Sequence, residues 1–314
     1  MADYQPVELR AFYRSHTHLP IWEVIEAAGI WRKLGIEASF EYCDSSSVAE
    51  AALFDGRVDF VSGNHISPYG LVARGKPIVS LASPSNSVND KLISRAPIRS
   101  LGELRGKRLA DTTVLDSGGG YNHIRGNHMI YLLRAGIQPS EVQWVEVADI
   151  MSEKFREDQI EAVKEGKADA AMATGATEKF EQQGLQVLEM GRIPMINGPT
   201  LTSTMTNLRR KDRLAERLVQ ALVLGIHYAR THPQETEATL GKLRKRVPES
   251  NASYNSVGKL LTKPYPDHRA ILNAYELCCM KDPKAKELSP MALWDLHYLR
   301  ELDDAGFIDR LYGE

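Results

Sequence analysis

The order in which strand-like and helix-like segments alternate constrains this chain more than any other feature. Val7 to Tyr13 alternates apolar and polar residues as a strand does, and Ile21 to Leu34 then places apolar residues at helical spacing. Gly35 ends that helix, and Ile36 to Tyr42 alternates as a second strand. Because strand, helix and strand in this order form right-handed βαβ units, the chain is predicted to be an α/β protein with mostly parallel sheets.

The same alternation continues through the middle of the chain. Further strands are predicted at Val58 to Val61, Gln143 to Val147, Ala168 to Ala173 and Thr202 to Leu208. Beyond the last of these the chain is largely helical, and one helix there carries an apolar stripe formed by Leu214, Leu218, Leu222 and Ile226. The pattern therefore predicts several βαβ units followed by a helical C-terminal part.

Composition excludes two kinds of partner. The net charge of -2, from 39 basic and 41 acidic side chains, gives no general attraction to nucleic acid. No segment approaches the run of about 18 apolar residues that a membrane span requires, so no membrane insertion is expected. Any preference for an anion must come from local geometry, and the partner expected is a small anionic molecule.

The N-terminus and the cysteines indicate a reducing compartment. Residues 1–12 lack the apolar run of about 7–15 residues found in a secretory signal, so a cytoplasmic location is expected, or a periplasmic one if a leader was removed. Cys43, Cys278 and Cys279 have no metal-ligand spacing. They are predicted to be free, buried thiols.

Histidines follow the predicted strands at the ends where open α/β sheets bind ligands. His16 and His18 follow the first strand, His65 follows the third, and His123 follows a glycine-rich turn. These side chains would either donate hydrogen bonds to an anion or, in one case, act as general acid or base, since histidine titrates near neutral pH. Capping or solvated loop histidines are the alternative. A metal ion held by His16, His18 and His65 is a further alternative. No metal site is predicted, because the sequence places no carboxylate beside these histidines.

Other predicted ligand contacts are backbone amides and polar side chains. The glycine-rich turn lets a ligand approach the backbone, and the helix N-terminus after it suits an anion. Arg125 is suited to bidentate pairing with a carboxylate. Asp116 is equally well explained as a turn residue and Thr174 as a helix cap, whereas His128 is expected to be structural. The full set of predicted ligand contacts is Ser62, Asn64, Asp116, Ser117, Gly119, Gly120, Tyr121, His123, Arg125 and Thr174.

Five short phrases, in consistent order over roughly residues 7–235, resemble motifs of one known family. They are Ala27–Ile36, Asp55–Phe60, Ala73–Ile78, Ile98–Lys107 and Glu165–Ala170. Together they resemble the sulfonate, taurine and thiamine-precursor branch of the type 2 periplasmic binding proteins. The resemblance implies a two-lobed fold with a ligand cleft between the lobes and two crossing strands, near Lys91–Arg95 and Thr202–Thr206. Lobe 1 would then comprise residues 1–93 and 204–314, and lobe 2 residues 94–203.

Two functions are compatible with this resemblance. Some relatives are cytoplasmic enzymes, but the fungal thiamine-pyrimidine synthase would need a cysteine cluster and a lysine where Gly63 and Asn64 stand. The aryl sulfinate desulfinase would need a cysteine in the loop that here reads His16-Thr17-His18. Because no export signal is seen and histidines occupy the strand-end loops, the preferred function is a cytoplasmic lyase, such as a decarboxylase acting on a small carboxylate that could be aromatic. His65 would be its acid or base, His16 or His18 would orient the substrate, and no organic cofactor is expected.

The alternative is a binding function without chemistry. The chain would then be the substrate-binding component of an ABC-type uptake transporter, or a cytoplasmic sensor derived from one. A homodimer is left open by the sequence.

Overall fold

The computed structural model describes residues 5–63, 66, 68–112, 123–148, 154–211 and 213–313. The chain forms two compact units: Met1–Asn86 with Ile196–Glu314, and Ser87–Met195. These boundaries lie seven and eight residues before those drawn from the sequence. The physical reason is strand pairing, because residues 91–94 pair within the sheet of the second unit and residues 201–204 within that of the first.

Twelve strands occur in the described residues. They are β1 (Val7–Tyr13), β2 (Ile36–Tyr42), β3 (Phe60–Ser62), β4 (Ile78–Ala82), β5 (Ser85–Val88), β6 (Lys91–Ser94), β7 (Arg108–Thr112), β8 (Gln143–Ala148), β9 (Ala170–Ala173), β10 (Gln186–Glu189), β11 (Ile193–Asn197) and β12 (Leu201–Thr204). The chain leaves the first unit within β5 and returns within β11, and these two strands pair with each other. The resemblance placed the crossings near Lys91–Arg95 and Thr202–Thr206, whereas the chain passes from one unit to the other within β5 and β11.

Fourteen α-helices accompany the strands in the same described residues. They are α1 (Leu19–Ala27), α2 (Ile30–Lys33), α3 (Ser46–Phe54), α4 (Pro68–Ala73), α5 (His123–Arg134), α6 (Phe155–Lys164), α7 (Thr177–Glu181), α8 (Met205–Arg210), α9 (Leu214–Thr231), α10 (Pro233–Arg246), α11 (Tyr254–Gly258), α12 (His268–Lys281), α13 (His297–Asp304) and α14 (Phe307–Tyr312). Among these described helices, none combines the length and the apolar character needed to cross a bilayer.

The sheet of the first unit has the strand order β2-β1-β3-β12-β4. β1, β2 and β3 are parallel, and their last residues are in register, Tyr13 opposite Tyr42 on one side and Ser62 on the other. β12 runs antiparallel to both of its neighbours. The three parallel strands therefore end side by side, and we call the ends at Tyr13, Tyr42 and Ser62 the first carboxyl edge.

The sheet of the second unit has the order β10-β6-β9-β7-β8. β7 is parallel to β8 and β9, whereas β6 is antiparallel to β9 and β10. Lys91, at the start of β6, therefore lies opposite Ala173, at the end of β9. We call the ends of β7 and β9, at Thr112 and Ala173, the second carboxyl edge.

An aspartate in the repeated Gly-x-(Val/Ala)-Asp phrase has the same structural role in each unit. The backbone N–H of Arg10 donates to Asp59 Oδ2 at 2.8 Å, and Asp59 N–H donates back to the Arg10 carbonyl at 2.7 Å. Asp169 exchanges the matching pair of hydrogen bonds with Arg108, both at 2.8 Å. The phrase thus joins the loop before one strand to the neighbouring strand, which explains why it occurs once per unit.

The cores confirm the burial expected from the sequence. The stripe residues Leu214, Leu218, Leu222 and Ile226 of α9 are buried in the first unit. The three cysteines are free and buried, as predicted. Burial raises the pKa of the Cys278 thiol to about 12, which keeps it in the unreactive thiol form at neutral pH.

Candidate functional site

Two of the predicted histidines lie at the first carboxyl edge. His16 and His18 form a single 3₁₀ turn after β1, and the Ser15 hydroxyl caps this turn by accepting from Thr17 N–H at 3.3 Å. His18 Nδ1 lies 3.0 Å from the Ser62 carbonyl oxygen, which ends the neighbouring strand. Trp22 Nε1 donates to the Ser62 hydroxyl at 2.9 Å. Ser62 therefore positions two side chains of the first unit, and its role as a ligand contact stays a prediction.

His16 differs from His18 in its surroundings. Its ring stacks on Tyr42 with centroids 4.1 Å apart and meets Tyr13 edge-on at 5.7 Å. His18, in contrast, is buried, with 7% of its surface exposed. His16 Nδ1 is a buried atom that has no hydrogen-bond partner in the described part of the chain. The imidazole of His16 is thus held by ring stacking instead of by a hydrogen bond at that nitrogen.

Gly63 makes the close packing of His18 possible. Its φ is +104°, a backbone conformation open mainly to glycine, and a methyl group at its Cα would lie 2.8 Å from His18 Cε1. Asn64 and His65, which follow it, lie outside the described residues. The close approach of Gly63 to His18 therefore constrains the path of the chain directly after β3.

Replacing Gly63 with alanine is expected to destabilise the protein by about 2–3 kcal/mol, because backbone strain and the clash with His18 add together. Gly75→Ala is the matched control, since Gly75 also has a positive φ, +80°, but nothing within 4 Å of its added methyl group. The control should lose only about 1 kcal/mol. Urea unfolding of both variants measures the difference, and equal losses would show that His18 is not tightly packed against Gly63.

The sequence analysis missed a charge cluster at this edge, formed by the half-buried Arg14 and Lys281 and the buried Glu50. Arg14 donates to the Cys43 carbonyl at 2.6 Å and to the Ser46 hydroxyl at 2.8 Å. Burial lowers the pKa of Arg14. Burial also lowers the pKa of Lys281, and the charge of Arg14 lowers it further, against the opposing effect of Glu50. The cations of Arg14 and Lys281 and the buried carboxylate of Glu50 therefore lie close together at a partly desolvated site.

The second carboxyl edge contains Arg125, a predicted anion contact on α5. Its side chain is buried, donates to the Thr112 carbonyl at 2.6 Å and to Glu146 Oε1 at 3.2 Å, and lies over the Trp144 ring at 5.0 Å. Arg125 Nε is also 3.8 Å from Asp111 Oδ2. The guanidinium thus has carboxylates on two sides within its own unit, and its contact with a ligand stays a prediction.

His123 begins α5 and is half-buried. Its Nε2 lies 3.4 Å from Asn127 Nδ2, one helical turn further on. The remaining predicted contacts on the glycine-rich turn, Asp116, Ser117, Gly119, Gly120 and Tyr121, lie outside the described residues.

His128 is buried and faces the carboxylates of two buried aspartates. Its Nδ1 lies 2.9 Å from Asp111 Oδ2, and its Nε2 faces Asp90 Oδ2 at 4.0 Å. Burial opposes the charged imidazolium and Arg125 adds to that effect, but the two carboxylates outweigh both, so the pKa of His128 is raised. The sequence led us to expect a structural role for His128 but gave no sign of its acid partners.

Thr174 is the one predicted contact that is both described and exposed at the second carboxyl edge. It does not cap the next helix, since α7 begins at Thr177 with Ala176 as its cap residue. Its hydroxyl donates to Asp90 Oδ1 at 2.7 Å. The capping explanation of Thr174 is therefore wrong, and its hydroxyl is instead held by Asp90.

No three His, Cys, Asp or Glu side chains are placed to hold a metal ion within the described ranges. His65, the third member of the metal site weighed from the sequence, is outside those ranges.

The fold is that of the type 2 periplasmic binding proteins, as similar solved structures show. The periplasmic aliphatic sulphonate binding protein SsuA from Escherichia coli is 15% identical, with a TM-score of 0.63 over 88% of this chain and 87% of that one. A putative periplasmic sulfonate-binding protein SsuA from Methylobacillus flagellatus KT is 13% identical, with a TM-score of 0.65 over 99% and 97%. The desulfurization enzyme DSZB is 13% identical, with a TM-score of 0.59 over 95% and 99%.

The family profile described as NMT1/THI5 like matches residues 24–236, which is more than half of the chain. The chain belongs to the NMT1/THI5-like family. No match was found among curated proteins.

Proposed function

We propose that this protein binds a small sulfonate or carboxylate reversibly, as a solute-binding protein does, and that Arg14 and Lys281 attract the acid group. The observation that carries the proposal is the presence of two half-buried cations, Arg14 and Lys281, at the first carboxyl edge, where burial lowers the pKa of both. Binding sites in open α/β sheets lie beyond the carboxyl ends of the strands, where this cluster is.

The electrostatics of the cluster favour an anion. The charge of Arg14 disfavours the charged form of Lys281, whereas the buried carboxylate of Glu50 favours the charged forms of both cations. An acid group entering the cluster would interact favourably with both cations, because partial desolvation strengthens the attraction between opposite charges. The names of the similar structures support this choice, since two of them are sulfonate-binding proteins.

Replacing Lys281 with glutamine is expected to weaken binding of sulfonates about tenfold or more, because a charge-assisted hydrogen bond at a partly buried site is worth about 1.5–3 kcal/mol. Lys286→Gln is the matched control, since it removes the same charge from an exposed position five residues away. Isothermal titration calorimetry with a panel of short sulfonates and carboxylates measures both. Equal affinities of the two variants would contradict the role given to Lys281.

A lyase is the competing function, and the comparisons do not favour it over binding. The described histidines give it little support, because His18 is buried with Nδ1 at the Ser62 carbonyl and His16 is stacked on Tyr42. A general base must reach the proton that it removes. His65 as acid or base stays a prediction from the sequence.

The cellular location of the protein would distinguish two binding functions, that of a transporter component and that of a sensor. A transporter component works outside the cytoplasm, whereas a sensor works within it, and the cytoplasmic location expected from the sequence stays a prediction. Fractionation of the source cells with an antibody against the protein distinguishes the two: recovery with cytoplasmic proteins indicates a sensor, and recovery outside the inner membrane indicates a transporter component.

A further inference from the structure

The first unit contains a cavity of about 270 Å³, and none of the charge-cluster residues Arg14, Glu50 and Lys281 lines it. Tyr13, the last residue of β1, lies on one side of this cavity. An apolar cavity of about 150 Å³ is large enough for benzene, so this one has room for a six-membered ring with a short side chain. Its apolar wall is formed by residues of α1, α2, β2 and the residue after α10: Leu19, Trp22, Trp31, Ala38, Phe40 and Val247.

The spacing of residues along α1 and β2 creates the apolar surface of this cavity. Leu19 and Trp22 are three residues apart on a helix, and Ala38 and Phe40 are two apart on a strand, so each pair lies on one face of its element. Trp22 is buried, and its ring stacks on that of Phe40 with centroids 5.6 Å apart. Phe40 and Ala38 are only half-buried. These two residues therefore present apolar surface that a molecule in the cavity would cover.

Acidic side chains outnumber basic ones around the same cavity. Glu23 and Glu26 line it from α1, and Arg246 lines it from the end of α10. Arg246 forms an ion pair with Glu23 at 2.5 Å, so these two charges compensate each other. Glu26 is exposed and has no ion-pair partner in the part of the chain that the structure describes. One net negative charge therefore lies beside apolar surface, and it favours a cation over an anion at this place.

We propose that this cavity is a second binding site, for a small organic amine whose apolar ring enters the cavity and whose ammonium group pairs with Glu26. The ring would be covered by Phe40 and Ala38, whereas the ammonium would stay at the exposed edge and keep part of its hydration. The site lies within the first unit and takes a ligand of the opposite charge to the anion of the proposed function. The inference is therefore independent of that function.

The test separates the ring from the charge. Calorimetric titrations at neutral pH use benzylamine, which is then protonated, benzyl alcohol, which has the same shape without the charge, and methylamine, which has the charge without the ring. Benzylamine should bind about threefold to fivefold more tightly than benzyl alcohol, because an exposed ion pair contributes little more than that. It should bind at least about tenfold more tightly than methylamine, because the ring is removed from water.

Two charge variants should change the affinity for benzylamine in opposite directions. Glu26→Gln should weaken binding about threefold to fivefold, and Arg246→Gln should strengthen it by a similar factor, because Glu23 is then free to attract the ammonium. Glu37→Gln is the matched control, since Glu37 is an exposed residue of β2 that does not line this cavity. It should bind benzylamine as the wild type does.

A size variant tests whether the ring enters the cavity. Ala38→Met fills part of the space and should weaken benzylamine binding at least about tenfold, whereas Ser39→Met, on the exposed face of the same strand, should not. Circular dichroism shows whether both variants are folded, and the charge variants decide the question if Ala38→Met is not. Lys281→Gln should leave benzylamine binding unchanged.

The outcomes distinguish this site from the anion site. No binding of benzylamine, equal affinities for benzylamine and benzyl alcohol, or unchanged affinity in both Glu26→Gln and Arg246→Gln would overturn this inference alone. Full affinity in a folded Ala38→Met variant would overturn it as well. A protein that binds benzylamine but none of the short sulfonates and carboxylates would instead contradict the proposed function and support this second site.

Discussion

Replacing Arg217 with alanine is expected to lower the free energy of unfolding by about 3–5 kcal/mol, since buried charge-assisted hydrogen bonds and the packed stem of the side chain are lost together. Arg217 lies on α9 and is fully buried at 0% exposure. It donates to the Gln5 carbonyl at 2.7 Å and reaches the Leu34 and Gly35 carbonyls at 3.5 Å. It therefore connects α9 to the start of β1 and to the turn before β2.

Arg213→Ala is the control for this prediction. Arg213 is the cap residue of the same helix, and its exposed side chain forms an ion pair with Glu216. An exposed pair contributes at most about 1 kcal/mol, so this variant should unfold almost as the wild type does. Urea unfolding followed by circular dichroism measures both variants. A loss of under 1 kcal/mol for Arg217→Ala would show that these hydrogen bonds do not anchor β1.

Replacing Asp111 with asparagine should destabilise the protein by about 3–5 kcal/mol at pH about 5.5, because His128 and Arg125 lose a buried counter-charge. Three charged groups face the imidazole: Asp111 and Asp90 favour its protonated form, and Arg125 opposes it. The pKa of His128 in the folded protein is raised above its ordinary value of 6.5. Protonated His128 therefore stabilises the fold fully below pH 6.5, and this contribution is lost as the pH rises through the raised pKa.

The difference between the wild type and Asp111→Asn should consequently shrink as the pH rises from about 5.5 to about 9. The part that persists at high pH belongs to Arg125, which is charged throughout. In a His128→Asn background, the pH-dependent part should vanish while the constant part remains. Denaturant unfolding at several pH values measures these differences. A difference that is independent of pH in the His128 protein would mean that the imidazole is not charged in the fold.

Local sequence patterns predicted these helices and strands because such patterns depend on residues that are close along the chain. The helical spacing of Leu214, Leu218, Leu222 and Ile226 identified the buried face of α9, and all four are at 0% exposure. Alternation in β1 and β2 identified strands that end in register at Tyr13 and Tyr42. The same signals placed His16 and His18 at a carboxyl edge, since a loop that follows a parallel strand must begin there.

The charged partners were not predictable in this way. Lys281 is at the end of α12, far along the chain from Arg14, and no periodicity relates the two residues. Asp90 lies before the antiparallel strand β6, so the rule that ligands follow strand ends did not select it. His128 was expected to be structural, but its 2.9 Å contact with Asp111 depends on tertiary packing of α5 against β7. Long-range electrostatic pairs carry no local signature in a single sequence.

The central claim is that this protein binds a small acid without converting it, and saturation-transfer difference NMR tests that claim in one sample. The protein is incubated with the panel of short sulfonates and carboxylates while ligand spectra are recorded over several hours. Binding without chemistry predicts saturation transfer to at least one acid, together with its unchanged one-dimensional spectrum. The appearance of product signals from any of these acids, or the absence of transfer to all of them, would contradict the claim.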